Sequence, residues 1–215
     1  MAISRRDFIK TSAGLAGSAG LSGVLASGKE PKVKEKSAAG AGSLKRSSNM
    51  RKVKIQKLTL EGFKKYGGYA NLINPNAPKL GGNGSEYYPD LISMDLGIKS
   101  VQSASICRAF KCPPIVDIAE SHTHSTEAMM ALDSDMVMHF GIPTPSGVCP
   151  VDTMEVFHIP KGTIVVMKHG TWHYAPFCYG SDVTNILVLL PPRTYVNDCT
   201  TYKFREDERF EIAGL

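Results

Sequence analysis

Beyond about residue 58 the chain alternates short apolar runs with clusters of turn residues. Runs at 100–110, 115–119, 128–132, 136–142, 154–159, 163–168 and 184–190 are rich in Val, Ile, Phe, Met and Thr. Their length and their Gly, Pro and Asp boundaries suit strands better than helices. Asp133-Ser134-Asp135 reads as a hairpin turn and Pro160-Lys161-Gly162 as another hairpin turn. Only 60–66 has helical character, with Thr59 as N-cap and Gly67-Gly68 to end it. Seven strands with almost no helix predict an all-β domain, a single antiparallel β-barrel or sandwich with a few short helices. Gly81-Gly82-Asn83-Gly84 is a loop without the strand–helix setting that a phosphate-binding glycine loop requires.

The N-terminus has a different pattern. Ser4-Arg5-Arg6-Asp7-Phe8-Ile9-Lys10 precedes a weakly apolar run of Gly, Ala, Ser and Leu at 11–26. A paired arginine before such a run is the pattern of a twin-arginine export signal, with Val24-Leu25-Ala26 as the cleavage site. The run is too short and too glycine-rich for a membrane span, which wants about 20 apolar residues. The sequence therefore predicts a signal peptide at 1–26, a disordered linker at 27–57 and a single domain at 58–215. It also predicts a periplasmic or otherwise exported protein, with the twin-arginine machinery as a partner. Of the 25 Lys and Arg and 20 Asp and Glu, 13 and 3 fall in residues 1–57, leaving 12 and 17 beyond them. The overall charge of +5 thus comes from signal and linker, and no basic stripe remains to bind nucleic acid. Five cysteines without a CxxC pair leave at least one free thiol in an exported chain. Most sit among apolar residues as small packing groups, and a Cys107–Cys112 bridge rests on compartment alone.

The chemistry concentrates at His122-Thr123-His124-Ser125-Thr126-Glu127. In an extended segment, side chains at i and i+2 leave one face, so His122 and His124 would point at a common atom. Glu127 lies an odd number of positions from His124, so a bend at Ser125-Thr126 must bring it inward. Lys168-His169-Gly170-Thr171-Trp172-His173 follows an apolar run and returns a further imidazole. His122, His124, His173 and Glu127 would suit a divalent transition metal such as Zn, Fe, Mn or Ni. The plainer alternative is polar decoration of a strand edge. His139 and His158 read as strand-surface or satisfied core residues, and Met129, Met130, Met136 and Met138 as barrel lining.

A strand with His-x-His and then Glu, a Pro-x-Gly turn and a distal His resembles a cupin barrel. Among cupins, the chain most resembles the ureidoglycolate lyase family over roughly 53–205. The likeness lies in the opening segment 57–67, in Ser105-Ile106-Cys107-Arg108-Ala109, in Glu120-Ser121-His122 through Glu127, in Phe157-His158-Ile159-Pro160-Lys161-Gly162, and in Gly170-Thr171-Trp172-His173 through Phe177. Three positions depart from the family: Ser121 stands for an Arg, Glu127 for a Gln, and His124 is an added imidazole. The resemblance implies cleavage of ureidoglycolate, a small carboxylate, to glyoxylate and urea. Glu127 and His173 would be catalytic, Glu127 either as ligand or as proton acceptor; in the first case His169 or Tyr174 would be the base. Arg108 would take the substrate carboxylate, with Lys168 as the second choice. Trp172 reads as packing. Pairing as a homodimer follows from what many cupins do. A non-enzymatic binding module, or isomerase or oxygenase chemistry on the same scaffold, is the alternative.

Overall fold

A computed structural model describes residues 50–82, 84–98 and 101–215, which belong to one compact unit. The signal expected at 1–26, and the expected linker as far as residue 49, lie outside the described residues.

The linker expectation is corrected at its end. Arg51–Lys57 forms strand β1, in which Val53 and Ile55 turn inward while Lys52, Lys54 and Gln56 are exposed. Four basic residues give this segment the composition of a linker, but its alternation is that of a strand with one wet face. The domain therefore begins by Met50 rather than at 58, and its 16 basic residues nearly balance its 17 acidic ones. Helix α1 (Leu60–Phe63) follows as expected, with Thr59 Oγ1 accepting from the Gly62 amide at 3.2 Å. It drops Phe63 into the core, edge-on to Phe140 at 5.1 Å and Phe157 at 5.6 Å. Burying a ring of this size contributes about 1.5–3 kcal/mol.

The remaining strands are β2 (Gly67–Asn71), β3 (Leu80–Gly82), β4 (Ser85–Tyr87), β5 (Ser103–Phe110), β6 (Ile115–Val116), β7 (Ile118–Ser121), β8 (Glu127–Ala131), β9 (Asp135–Phe140), β10 (Glu155–Ile159), β11 (Thr163–Met167), β12 (Phe177–Tyr179), β13 (Val183–Leu190), β14 (Thr200–Lys203) and β15 (Phe210–Ala213). Helix α2 (Thr194–Asn197) stands between β13 and β14. One sheet has the order β12-β9-β10-β1-β15-β6 and the other β2-β11-β8-β13-β5, with β14-β7 and β3-β4 as two-stranded ribbons. Among the described residues pairing is antiparallel except at β1, which runs parallel to both β10 and β15. This is the all-β domain of two packed sheets, with a few short helices, that the sequence predicts.

The main core lies between the two large sheets. Met136, Met138, Phe140, Phe157 and Ile159 meet Met129, Ala131, Val165, Met167, Ile186 and Val188. Met130 points the other way, into a small cluster with Ala128, Ile164 and Val166. Strand β9 is covered on both faces, since Val137 packs with Val156, Phe177 and Phe210 in a second core that also holds Trp172. Cys107 and Cys112 are not bridged, and the other three cysteines are free thiols as well.

The hairpin turns expected at Asp133–Asp135 and Pro160–Gly162 are also corrected. They are tight, but β8 does not pair with β9, nor β10 with β11; both turns carry the chain from one sheet to the other. Long-range contacts decide this. The Asp133 carboxylate accepts from the Asn185 amide at 2.9 Å, and Asp135 Oδ1 from the Lys161 amide at 2.8 Å. Gly162 (φ +74°) makes the second crossing, in a left-handed conformation where Ile73 leaves no room for a Cβ.

Candidate metal centre

Glu127 opens β8 on the same face as Met129 and Ala131, so its side chain enters one end of the main core. Opposite it on β11 stands Met167. Two further segments close around the carboxylate. Glu120 and His173 form an isolated antiparallel bridge, exchanging backbone hydrogen bonds of 2.6 and 2.9 Å, which sets their side chains next to each other. The same approach continues where the Gly170 amide donates to the His122 carbonyl at 2.6 Å. Strand alternation from Glu120 then aims His122 at the same point.

The result is a cluster of Glu120, His122, Glu127 and His173, with one ligand atom from each lying within 4.8 Å of the others. Glu127 Oε2 is 2.7 Å from His173 Nε2 and 3.1 Å from His122 Nε2. The three side chains are 1–5% exposed, and Glu120 is half-buried. Each imidazole has its other nitrogen on a backbone carbonyl, His122 Nδ1 on Asp198 O at 2.5 Å and His173 Nδ1 on Thr171 O at 2.9 Å. A carbonyl only accepts, so both Nδ1 atoms donate and both Nε2 atoms face the carboxylate. A lone-pair nitrogen cannot sit that close to a carboxylate oxygen unless a cation, proton or metal, lies between them.

Electrostatics agree with a site built for positive charge. Burial pushes the Glu127 carboxyl up, but His173 and His122 outweigh it and hold the group down at about 2. Burial pushes His122 down, but the hydrogen bond and charge of Glu127 outweigh it and raise the imidazole to about 9. Two imidazole nitrogens and two carboxylates, with the outer nitrogens oriented by carbonyls, are the donor set and supporting shell of a divalent transition-metal site. The residues fit such an ion.

His124, expected as a ligand beside His122, is not in the cluster. Residues 123–125 bend instead of extending, because Asp198 captures the amides of Thr123 at 2.9 Å and His124 at 2.8 Å. The bend swings Glu127 inward, as its spacing demanded, and turns His124 out to 71% exposure, with Nδ1 on Asp198 Oδ1 at 2.8 Å. Gly97 (φ +62°) packs over the bend, where a Cβ would come within 1.9 Å of the His124 carbonyl oxygen. Glu120 takes the place expected for His124. The i, i+2 rule that paired His122 with His124 applied equally to Glu120, which was the signal for it. Asp198 had no local signal, being remote in sequence and in a turn.

The two expected carboxylate-binding cations are engaged elsewhere. Arg108 lies exposed on the edge strand β5, with Nε on Asn185 Oδ1 at 2.9 Å. Lys168 is exposed and its ammonium donates to the Lys64 carbonyl. His169 Nε2 lies 3.6 Å from Asp95 Oδ2, and Tyr174 is buried at 8% exposure. Trp172 is packed at 2% exposure, as expected. His158 pairs with Asp135 at 2.7 Å on the surface of β10, and His139 is buried against the Phe210 ring.

Comparison with known proteins gives one family match. The family model described as ureidoglycolate lyase matches residues 50–211. No curated protein sequence matches. Among solved structures, an oxalate decarboxylase studied for its substrate binding mode is 12% identical with a TM-score of 0.33, covering 47% of this chain and 23% of its own. A Bacillus subtilis oxalate decarboxylase studied for its Mn(II) centres gives the same values. A deletion mutant of the Bacillus subtilis enzyme is 11% identical with a TM-score of 0.33, covering 47% of this chain and 24% of its own. The chain thus spans about a quarter of the length of the solved structures it matches.

Proposed function

The chain belongs to the ureidoglycolate lyase family, and on that premise we propose that it is a metal-dependent lyase acting on a small carboxylated carbinolamine, ureidoglycolate foremost. The observation that carries the reading is the buried cluster of Glu120, His122, Glu127 and His173, with both Nδ1 atoms tied to carbonyls. A Zn, Fe, Mn or Ni ion held there would supply the positive centre that binds the substrate's hydroxyl and carboxylate and acidifies the hydroxyl. That role matters because Arg108 and Lys168 are engaged elsewhere.

The chain's own groups handle the proton. Glu127, in contact with both imidazoles through one oxygen, would hold the ion together with them. Glu120, the less buried carboxylate, is left out of the ligand set of His122, His173 and Glu127 in this reading and takes the proton from the substrate hydroxyl. The O–H bond breaks, the carbon becomes the aldehyde of glyoxylate, and the carbon–nitrogen bond to urea breaks. Glu120 returns the proton to the departing nitrogen, so that glyoxylate and urea account for all atoms. His122 and His173 hold position and stay bound through Nδ1. Export through the twin-arginine pathway, signalled by Arg5-Arg6, and pairing of two copies complete the proposal.

The test is elemental analysis of protein purified from its export route, joined to an assay of glyoxylate release from ureidoglycolate. A stoichiometric transition metal, and turnover abolished by His122→Ala and by His173→Ala, are expected. Absence of metal, or near-normal turnover in either variant, would overturn the reading. Metal without turnover on any small hydroxy acid would leave a binding module.

A further inference from the structure

We propose that Asp198 is the positioning residue of this centre, holding the bend between two cluster residues with its carboxylate and the His122 ring with its carbonyl. The inference rests on the cluster being a metal site. Asp198 follows α2, and its own amide donates to the Thr194 carbonyl at 2.8 Å, so the residue is anchored before it reaches the site. Its side chain is 8% exposed. Four donors converge on the carboxylate. Thr123 N and Thr123 Oγ1 reach Oδ1 at 2.9 and 3.0 Å, His124 Nδ1 reaches Oδ1 at 2.8 Å, and His124 N reaches Oδ2 at 2.8 Å.

These contacts break the strand that would otherwise run on from His122, and the break is what lets Glu127 enter the core. The Asp198 carbonyl meanwhile accepts from His122 Nδ1 at 2.5 Å, which leaves Nε2 as the nitrogen facing Glu127. The next residue extends the same grip, since the Cys199 thiol donates to Glu120 Oε2 at 3.4 Å. One corner thereby touches His122, Glu120 and the approach to Glu127.

Asparagine tests this closely. The two backbone amides of the bend point at different oxygens of Asp198. An Asn side chain of the same shape must turn its NH2 toward one of them, donor against donor, whichever way it flips. Zn2+ alone would be titrated into metal-free full-length protein against a competing chelator, for wild type and Asp198→Asn. The variant is expected to bind about 10–100-fold more weakly, the range for loss of a residue that orients a ligand. In the metal-free proteins, 1H–15N spectra read the His122 Nδ1–H proton directly. It should be protected in wild type and exchange freely in Asp198→Asn, which a general loss of stability without loss of positioning would not produce. Thr123→Val, which removes one donor and keeps the backbone contacts, should weaken Zn2+ in the same direction. Wild-type affinity in Asp198→Asn, or a protected His122 Nδ1–H in that variant, would overturn the proposal. Failure of wild type to bind Zn2+, Mn2+, Fe2+ or Ni2+ would instead overturn the metal reading, and the His122 proton would still decide the role of Asp198.

Discussion

Glu127 Oε2 lies 2.7 Å from His173 Nε2, and both side chains are almost wholly buried. The two residues are 46 positions apart. Their contact joins the first position of β8 to the bridge that His173 makes with Glu120. A buried carboxylate in this position stabilises only while cations face it, so substitutions here separate electrostatics from packing.

Glu127→Gln keeps the shape and removes the anion. Breaking a buried ion pair costs about 3–5 kcal/mol. His122, whose raised pKa comes from Glu127, can shed its proton in response, so the metal-free variant should lose about 3 kcal/mol, read by urea unfolding. Its metal affinity should fall at least as far as the ~100-fold upper end for a lost supporting group.

Stability of the metal-free protein should depend on pH at both ends. Glu127 is held at about 2 against an ordinary 4.5, so its contribution is present above 4.5 and is lost as pH falls toward 2. His122 is raised to about 9 from 6.5, so its contribution is complete below 6.5 and is lost as pH rises through 9. Thermal midpoints across this range should be highest between 4.5 and 6.5 for these two groups. In Glu127→Gln the alkaline decline should largely vanish; if it persists unchanged, another group causes it.

His124→Ala discriminates between the two arrangements. An extended His122-x-His124 would lose a ligand in this variant. With His124 exposed and its ring one of four donors to Asp198, the substitution should cost about 0.5–1.5 kcal/mol for the lost hydrogen bond and leave metal content stoichiometric, whereas His122→Ala should empty the site. Elemental analysis of the two proteins decides.

Gly97→Ala should loosen the centre from outside it. The residue is in the left-handed region, and its Cβ would strike the His124 carbonyl. A conformational penalty of about 1–3 kcal/mol is expected, seen as a lower thermal midpoint and faster amide exchange at Thr123 and His124.

A chain begun at Met50 should fold as the full domain does, while one begun at Leu58 should not. The second lacks β1, which pairs with both β10 and β15 in the middle of the six-stranded sheet. Circular dichroism and solubility of the two truncations test this boundary.

Six of the seven strands read from apolar runs are present as single strands, the seventh, at 115–119, is divided between β6 and β7 in different sheets, and the α1 cap at Thr59 is present. Runs of Val, Ile and Met report burial, and burial in a sandwich is a local property of each strand. Arg51–Lys57 escaped because its charges outnumber its apolar residues, although a strand with one wet face needs only Val53 and Ile55. The turn at Asp133–Asp135 was legible as a turn but not as a crossing between sheets, because pairing is chosen by residues such as Asn185 and Lys161 that are distant in the chain.

For the centre, the sequence by itself determined that His122, Glu127 and His173 were the residues to examine, since imidazole and carboxylate at such spacing have few other uses. It also determined that Glu127 needed a bend to face inward. Only the tertiary structure decided that the bend turns His124 out, that Glu120 stands in its place, and that Arg108 and Lys168 are engaged elsewhere. The reason is the range of the forces involved. Strand periodicity acts over neighbouring residues, whereas the bend is made by the carboxylate of Asp198, more than seventy positions along the chain, and no local pattern carries that contact.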